Sequence, residues 1–146
     1  MFSDPEHMRW YPEPFPRTGT RMWMDHVLEQ YARVGFDMWI VEDRVTGGFL
    51  GTAGPAIREV EGVDEVEIGW HTRPGRKGEA IAPEAGTAAR DWAFANLDVD
   101  HVISLVRPEN VPSCRVAEKI GMHIDRTIDR KGYRHYVFRI DRSERM

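Results

Sequence analysis

The chain of 146 residues has a single cysteine, Cys114, so no internal disulfide framework is available to it. Its fold must rest on a hydrophobic core, and a reducing, cytoplasmic setting is expected. A lone thiol beside Arg115 is open to two readings, a nucleophile or a small core residue, and the second is the commoner use of a free cysteine. Long apolar runs are also missing, which excludes a membrane-spanning helix. The N-terminal stretch MFSDPEHMRW has no basic region leading into an apolar one, so it does not read as a signal peptide. Cations are not in excess: the net charge is −4, which leaves no broad basic field for nucleic acid and weakly suits a cationic substrate. The six histidines are scattered, none at metal-ligand spacing from another or from Cys114, so no metal is expected. There is no internal repeat. The length suits a single domain over residues 1–146 with a core of its own.

One stretch stands out, Arg73 to Trp92, RPGRKGEAIAPEAGTAARDW. It holds a Pro74-Gly75 turn, the cations Arg73, Arg76 and Lys77, then Gly78 and Ala80, and it enters a helix at Pro83. Proline is at home in a first helical turn, where its missing N–H is not needed. A small, basic loop opening into a helix suits a phosphate or pyrophosphate, because free N–H groups and the positive end of the helix dipole meet there. The same features describe an ordinary strand-to-helix turn with solvated cations, and the stretch alone does not choose.

The rest of the chain supplies a frame. Asp4 to Tyr11 reads as a short helical piece. Trp10 to Pro16 has three prolines and reads as extended loop, either a lid or a surface strap. Thr18 or Thr20 caps a helix to about Val34, whose Met24, Val27, Leu28 and Tyr31 form a stripe expected in the core. Strands follow at Phe36–Glu42, at Phe49 to about Ile57, and at Asp64–Thr72, with turn signals at Thr46-Gly47-Gly48 and Glu61-Gly62. In the third strand Glu65, Glu67, Gly69 and His71 share one face and Val66, Ile68, Trp70 and Thr72 the other, unless a bulge near Gly69 inverts the order. A helix from Pro83 to about Asn96 is rich in alanine. His101–Val106 is a strand, Asn110 caps a helix over Val111–Ile120 that Gly121 stops, and two strands flank Arg130-Lys131-Gly132. The order implies α+β, with a mixed, mostly antiparallel sheet and the two late helices on its faces.

Three blocks in register, EIGWHT (67–72), RKGEAIAPEA (76–85) and PENVPSCRVAEKIGM (108–122), resemble the GNAT superfamily of N-acetyltransferases, and within it the RimJ/RimL-type branch. The resemblance covers about Asp4 to Asp141. It implies a twisted sheet with a splayed central strand pair and acetyl transfer from acetyl-CoA to a primary amine, a protein N-terminus or a small molecule, by direct attack in a ternary complex. In the family's pattern the backbone of Lys77, Gly78, Glu79 and Ala80 holds the CoA pyrophosphate. Trp70, His71 and Thr72 pair with pantetheine, Asn110 contacts its arm, and Arg115 or Lys119 reaches the phosphates. Trp10, Tyr11 and Trp23 would line the acceptor side.

Three departures matter. Gly75 stands where the loop usually has a polar anchor, so Arg76 or Lys77 must compensate. Ala117 stands where many relatives have the tyrosine that protonates the leaving thiolate, which leaves Ser113 as the donor. The family's first strand has no counterpart before the match: either it is absent, which would leave Phe36–Glu42 at a sheet edge and favour pairing into a homodimer, or Met1 is not the natural start. The amine must be neutral to attack: at pH 7 that costs about 4–5 kcal/mol for a lysine-like amine and about 1–1.5 kcal/mol for an α-amine. Glu67 is the first candidate base and His71 the second. The alternative is a non-catalytic acyl-CoA-binding, regulatory module of the same fold.

Overall fold

The computed structural model describes residues 1–9, 11 and 17–145. Its elements are α1 (Arg17–Val34), β1 (Trp39–Glu42), β2 (Phe49–Val60), β3 (Val63–Thr72), α2 (Ile81–Asn96), β4 (His101–Val106), α3 (Val111–Lys119), β5 (His123–Arg130) and β6 (Tyr133–Asp141), with a short 3₁₀ turn at Arg142–Glu144. The strands form one sheet in the order β1-β2-β3-β4-β6-β5. Every neighbouring pair is antiparallel except β3 and β4, which run parallel and share a single register pair, Glu67 opposite Ile103. Beyond that rung the two strands part.

Local chemistry explains the frame. Two hairpins close with two-residue turns at positive φ, Glu61-Gly62 (51° and 83°) and Lys131-Gly132 (53° and 81°), the handedness that matches strand twist. Asn110 caps α3 by accepting a hydrogen bond from Ser113 N at 3.4 Å. The pairing of β2 with β3 is continuous from Gly51–Thr72 to Val60–Val63, so there is no bulge near Gly69, and the alternation of β3 holds throughout. A Cβ on Gly51 would lie 1.9 Å from the His71 carbonyl oxygen, so only glycine lets β2 approach β3 at this end of the pair.

The main core lies between one face of the sheet and both late helices. Ile68, Val102, Val106, Phe138 and Ile140 meet Ala89, Ala93 and Phe94 of α2 and Cys114 and Ala117 of α3. The two helices therefore share a face rather than taking one each, and the alanines of α2 allow them to lie side by side. Cys114 is a core residue whose thiol pKa is raised by burial, which suits packing and not nucleophilic use. The opposite face carries a smaller cluster, Val60, Ile103, Ile128 and Val137.

Several boundaries differ from expectation. The first strand starts at Trp39, while Phe36, Asp37 and Met38 are buried ahead of it. α2 begins at Ile81, two residues before Pro83, and β2 runs on to Val60. Residues 5–9 form successive turns, with Met8 N bonded to Asp4 O at 3.0 Å, and no helix is present among the described residues of this piece. The proposed core stripe of α1 is the clearest reversal. Val27 is buried, but Met24, Leu28 and Tyr31 are 50%, 64% and 37% exposed. The Tyr31 hydroxyl donates to the Asp37 and Met38 carbonyls, both at 3.0 Å, and pins the helix in a rotation that points Val27 and Gln30 inward.

Candidate active site

The parting of β3 and β4 is built by side chains as well as backbone. Glu67 Oε2 accepts from Leu105 N at 3.0 Å, taking a donor that a regular ladder would pair with main chain. Ser104 Oγ donates to the Ile68 carbonyl at 2.7 Å. These two bonds satisfy the backbone where the strands diverge and hold the gap open.

Two cavities meet at this gap. One, of about 570 Å³, runs between the end of β3 and the start of α2 and α3. Its wall includes Trp70, His71, Thr72, Lys77, Gly78, Ala80, Asn110, Ser113, Arg115 and Lys119, beside residues of the N-terminal segment and the first turns of α2 and α3. Each of the named residues is one expected to bind CoA or, for Ser113, to serve its thiol. No side chain caps α2, whose N-cap Ala80 sits at φ 61°, so its first turn opens toward the same cavity. Gly78 has φ 89° and nothing within 4 Å of where a Cβ would stand. Two expected binders lie elsewhere. Arg76 is held by Glu79 at 2.7 Å and by Asp43 at 3.5 Å, and neither Arg76 nor Glu79 lines the cavity. Their opposite charges satisfy one another.

The second cavity, of about 260 Å³, lies on the sheet face that carries Glu67 and His71. Tyr11, Trp70, His71, Asn110 and Ser113 line both cavities and mark their junction. Trp23 lines the smaller one; Trp10 lies outside the described residues. Glu67 is 16% exposed and also lies 3.3 Å from Arg58 Nε.

The N-terminal segment adds a chain of polar rings that the sequence did not announce. Tyr11 leaves 42% of its surface open, yet its hydroxyl turns inward to within 3.4 Å of His71 Nε2. His71 Nδ1 in turn faces His7 Nε2 at 3.1 Å. Burial, then the neighbouring Glu67, raise the Tyr11 pKa, so the phenol stays protonated. Burial, then the His7 and Lys77 charges, push His71 down to about 3; burial and Lys77 push His7 down to about 4. Both imidazoles are neutral at pH 7 in the folded protein.

This has a measurable cost in acid. Between pH 6.5 and about 4 the unfolded chain binds protons that the folded pair refuses, so stability falls as pH falls and is flat above pH 6.5. At about 1.36 kcal/mol per unit, each histidine withdraws roughly 2 kcal/mol by pH 5. Denaturant melts at pH 7.5 and 5 should show that loss, and His7→Gln should roughly halve it; an unchanged loss in the variant would show that His7 is not its source.

Other residues of the smaller cavity carry no signal in the sequence: Arg58, Arg107, Arg130, Lys131, Tyr133 and His135. They come from β2, from the turn after β4 and from the β5–β6 hairpin, so no local motif collects them.

Comparison with known proteins also finds an acetyltransferase fold. The chain belongs to the GNAT acetyltransferase family: the model for the acetyltransferase (GNAT) domain matches residues 1–123. It is thus an acetyl-CoA-dependent N-acetyltransferase by family. It is 35% identical over 128 residues to the uncharacterized protein YkkB of Bacillus subtilis (strain 168), covering 88% of this chain and 74% of that one. An acetyltransferase from Agrobacterium tumefaciens str. C58 superposes with a TM-score of 0.82 at 29% identity, over 97% of this chain and 81% of that one. RimJ of Mycobacterium smegmatis, solved in complex with CoA-disulfide, has a likeness of fold alone, with TM-score 0.68, 24% identity and coverage of 87% and 63%.

Proposed function

We propose that residues 1–146 form one catalytic domain of the RimJ/RimL-type branch, transferring acetyl from acetyl-CoA to a primary amine by direct attack in a ternary complex. The observation that carries this reading is the junction of two cavities where β3 and β4 part. The larger cavity takes CoA. Its pyrophosphate sits on the N–H groups around Gly78 and Ala80, with Lys77, Arg115 and Lys119 as counter-charges. The edge of β3 at Trp70, His71 and Thr72, released from β4, pairs with pantetheine. The smaller cavity takes the amine, with Tyr11 and Trp23 in its wall. A reducing cytoplasm suits the single, buried thiol.

Each step then has a group. Glu67, facing the amine, receives its proton directly or through water. The nitrogen attacks the thioester carbon, backbone N–H groups near Trp70 hold the oxyanion, the C–S bond breaks and sulfur leaves as thiolate. Ser113 hydrogen-bonds that thiolate. Its backbone N–H serves the Asn110 cap, which leaves the hydroxyl for this role.

The test is release of CoA thiol. Acetyl-CoA and an amine together should yield thiol, and neither alone should. Ser113→Ala should lower kcat about tenfold with little change in the KM for acetyl-CoA. CoA binding without thiol release across a broad amine panel would instead favour the non-catalytic module.

A further inference from the structure

The charge of the smaller cavity runs against the charge of the protein. The chain is net acidic, yet Arg58, Arg107, Arg130 and Lys131 line this cavity against one carboxylate among the described residues, Glu67. Glu67 lies 3.3 Å from Arg58 Nε and balances that cation alone. Arg107 stacks over the Tyr133 ring at 4.0 Å and lies 3.6 Å from Glu109, an exposed residue outside the cavity wall. Arg130 donates to the Glu59 carbonyl at 2.7 Å, a neutral acceptor that fixes its position without cancelling its charge. Neither Arg130 nor Lys131 has a carboxylate partner among the described residues. The Lys131-Gly132 turn, with both residues at positive φ, holds Lys131 at the tip of its hairpin.

These cations are not the ones CoA needs. Among the described residues those lining the larger cavity are Arg9, Lys77, Arg115 and Lys119, and the two sets do not overlap. Like charges gathered in a partly enclosed space repel one another, and an anion entering that space relieves the repulsion. Arginine and lysine side chains without a carboxylate partner suit a carboxylate or a phosphate. A polyamine would meet the wrong sign.

We propose that the acceptor is a small amine that also carries an anionic group, a carboxylate or a phosphate, with the anion held by Arg130 and Lys131 and the amine turned toward Glu67. The cavity, at about 260 Å³, suits a compound of amino-acid size. This inference rests on the acetyl-transfer reading and names the substrate class for the same site. The charges divide the work: the anion is bound by cations at the hairpin, while Glu67 stays at the strand gap, where the proton must go.

Thiol release should be measured with the full chain, acetyl-CoA and matched amines: L-methionine against its methyl ester, O-phosphoethanolamine against ethanolamine, and spermidine. The anionic member of at least one pair should have a kcat/KM at least tenfold above its neutral partner, and spermidine should fall below both. Which pair responds separates carboxylate from phosphate. In Lys131→Gln, and in Arg130→Gln with Lys131→Gln, the ratio of anionic to neutral kcat/KM should collapse toward one, through KM. The single variant spares the Arg130 anchor to Glu59 and serves if the double variant fails to fold. Preference for the neutral members, for spermidine or for an uncharged peptide N-terminus overturns the inference and leaves acetyl transfer standing. So does a ratio that survives both variants. Silence with every amine overturns acetyl transfer itself, and the inference with it.

Discussion

Gly78→Asp should abolish CoA binding, raising Kd at least a hundredfold by calorimetric titration. Two effects add. Gly78 has φ 89°, where an L residue is strained by about 1–2 kcal/mol, a penalty that any side chain would bring. The second effect is electrostatic. The loop lines the larger cavity beside the uncapped start of α2, where a pyrophosphate would meet free N–H groups. A carboxylate there sets like charge against it, worth about 4 kcal/mol at 4 Å in an effective dielectric of 20. Gly78→Ala separates the two, since it carries the same backbone strain without charge, and its methyl meets nothing within 4 Å. The alanine variant should bind CoA less than tenfold more weakly. Raising the salt concentration should recover part of the loss in the aspartate variant and none in the alanine variant. An aspartate variant that binds CoA normally would place the anion site elsewhere.

The loop and the groove it lines could be read from the sequence because their determinants are local. Gly78, Ala80 and the start of α2 are contiguous, and Asn110 with Gly121 brackets α3 by rules that operate within a few residues. The strand alternation of β3 was equally local, and the continuous β2–β3 register kept Glu67 and His71 on one side. What could not be read depends on distant partners. Arg76 looked free beside Lys77, but its neighbours include Asp43, at the far end of another hairpin. Met24 and Leu28 fit a helical stripe, yet the rotation of α1 is set by Tyr31 reaching the main chain ahead of β1. The cationic cavity is the extreme case. Arg58, Arg107 and the Arg130-Lys131 pair lie on separate segments, and whole-chain acidity pointed toward a cationic substrate. The His7–His71–Tyr11 chain likewise forms only when the N-terminal turns fold back over β3.

Glu67→Gln should lower kcat/KM by roughly 10²–10⁴ without disturbing the fold, the range expected on removing a general base. Glutamine keeps a carbonyl oxygen to accept from Leu105 N, so the bond that holds β4 beside the gap survives. It loses the charge facing Arg58 and any capacity to take a proton from the amine. Melting curves should therefore move little while turnover collapses. The competing base, His71, is disfavoured on energy. With its pKa pushed to about 3, it would receive a proton from an α-ammonium near pKa 8 at a cost of roughly 7 kcal/mol. Its two nitrogens already face His7 and Tyr11. His71→Phe should consequently disturb the N-terminal segment and raise KM more than it lowers kcat. The inverse pattern, with Glu67→Gln within threefold of the parent and His71→Phe inactive at unchanged KM, would transfer the base to His71. An amine of lower pKa discriminates further. It arrives already neutral, so it should recover much of the rate in Glu67→Gln if the lost function is proton removal, and none if Glu67 acts only by holding the strands.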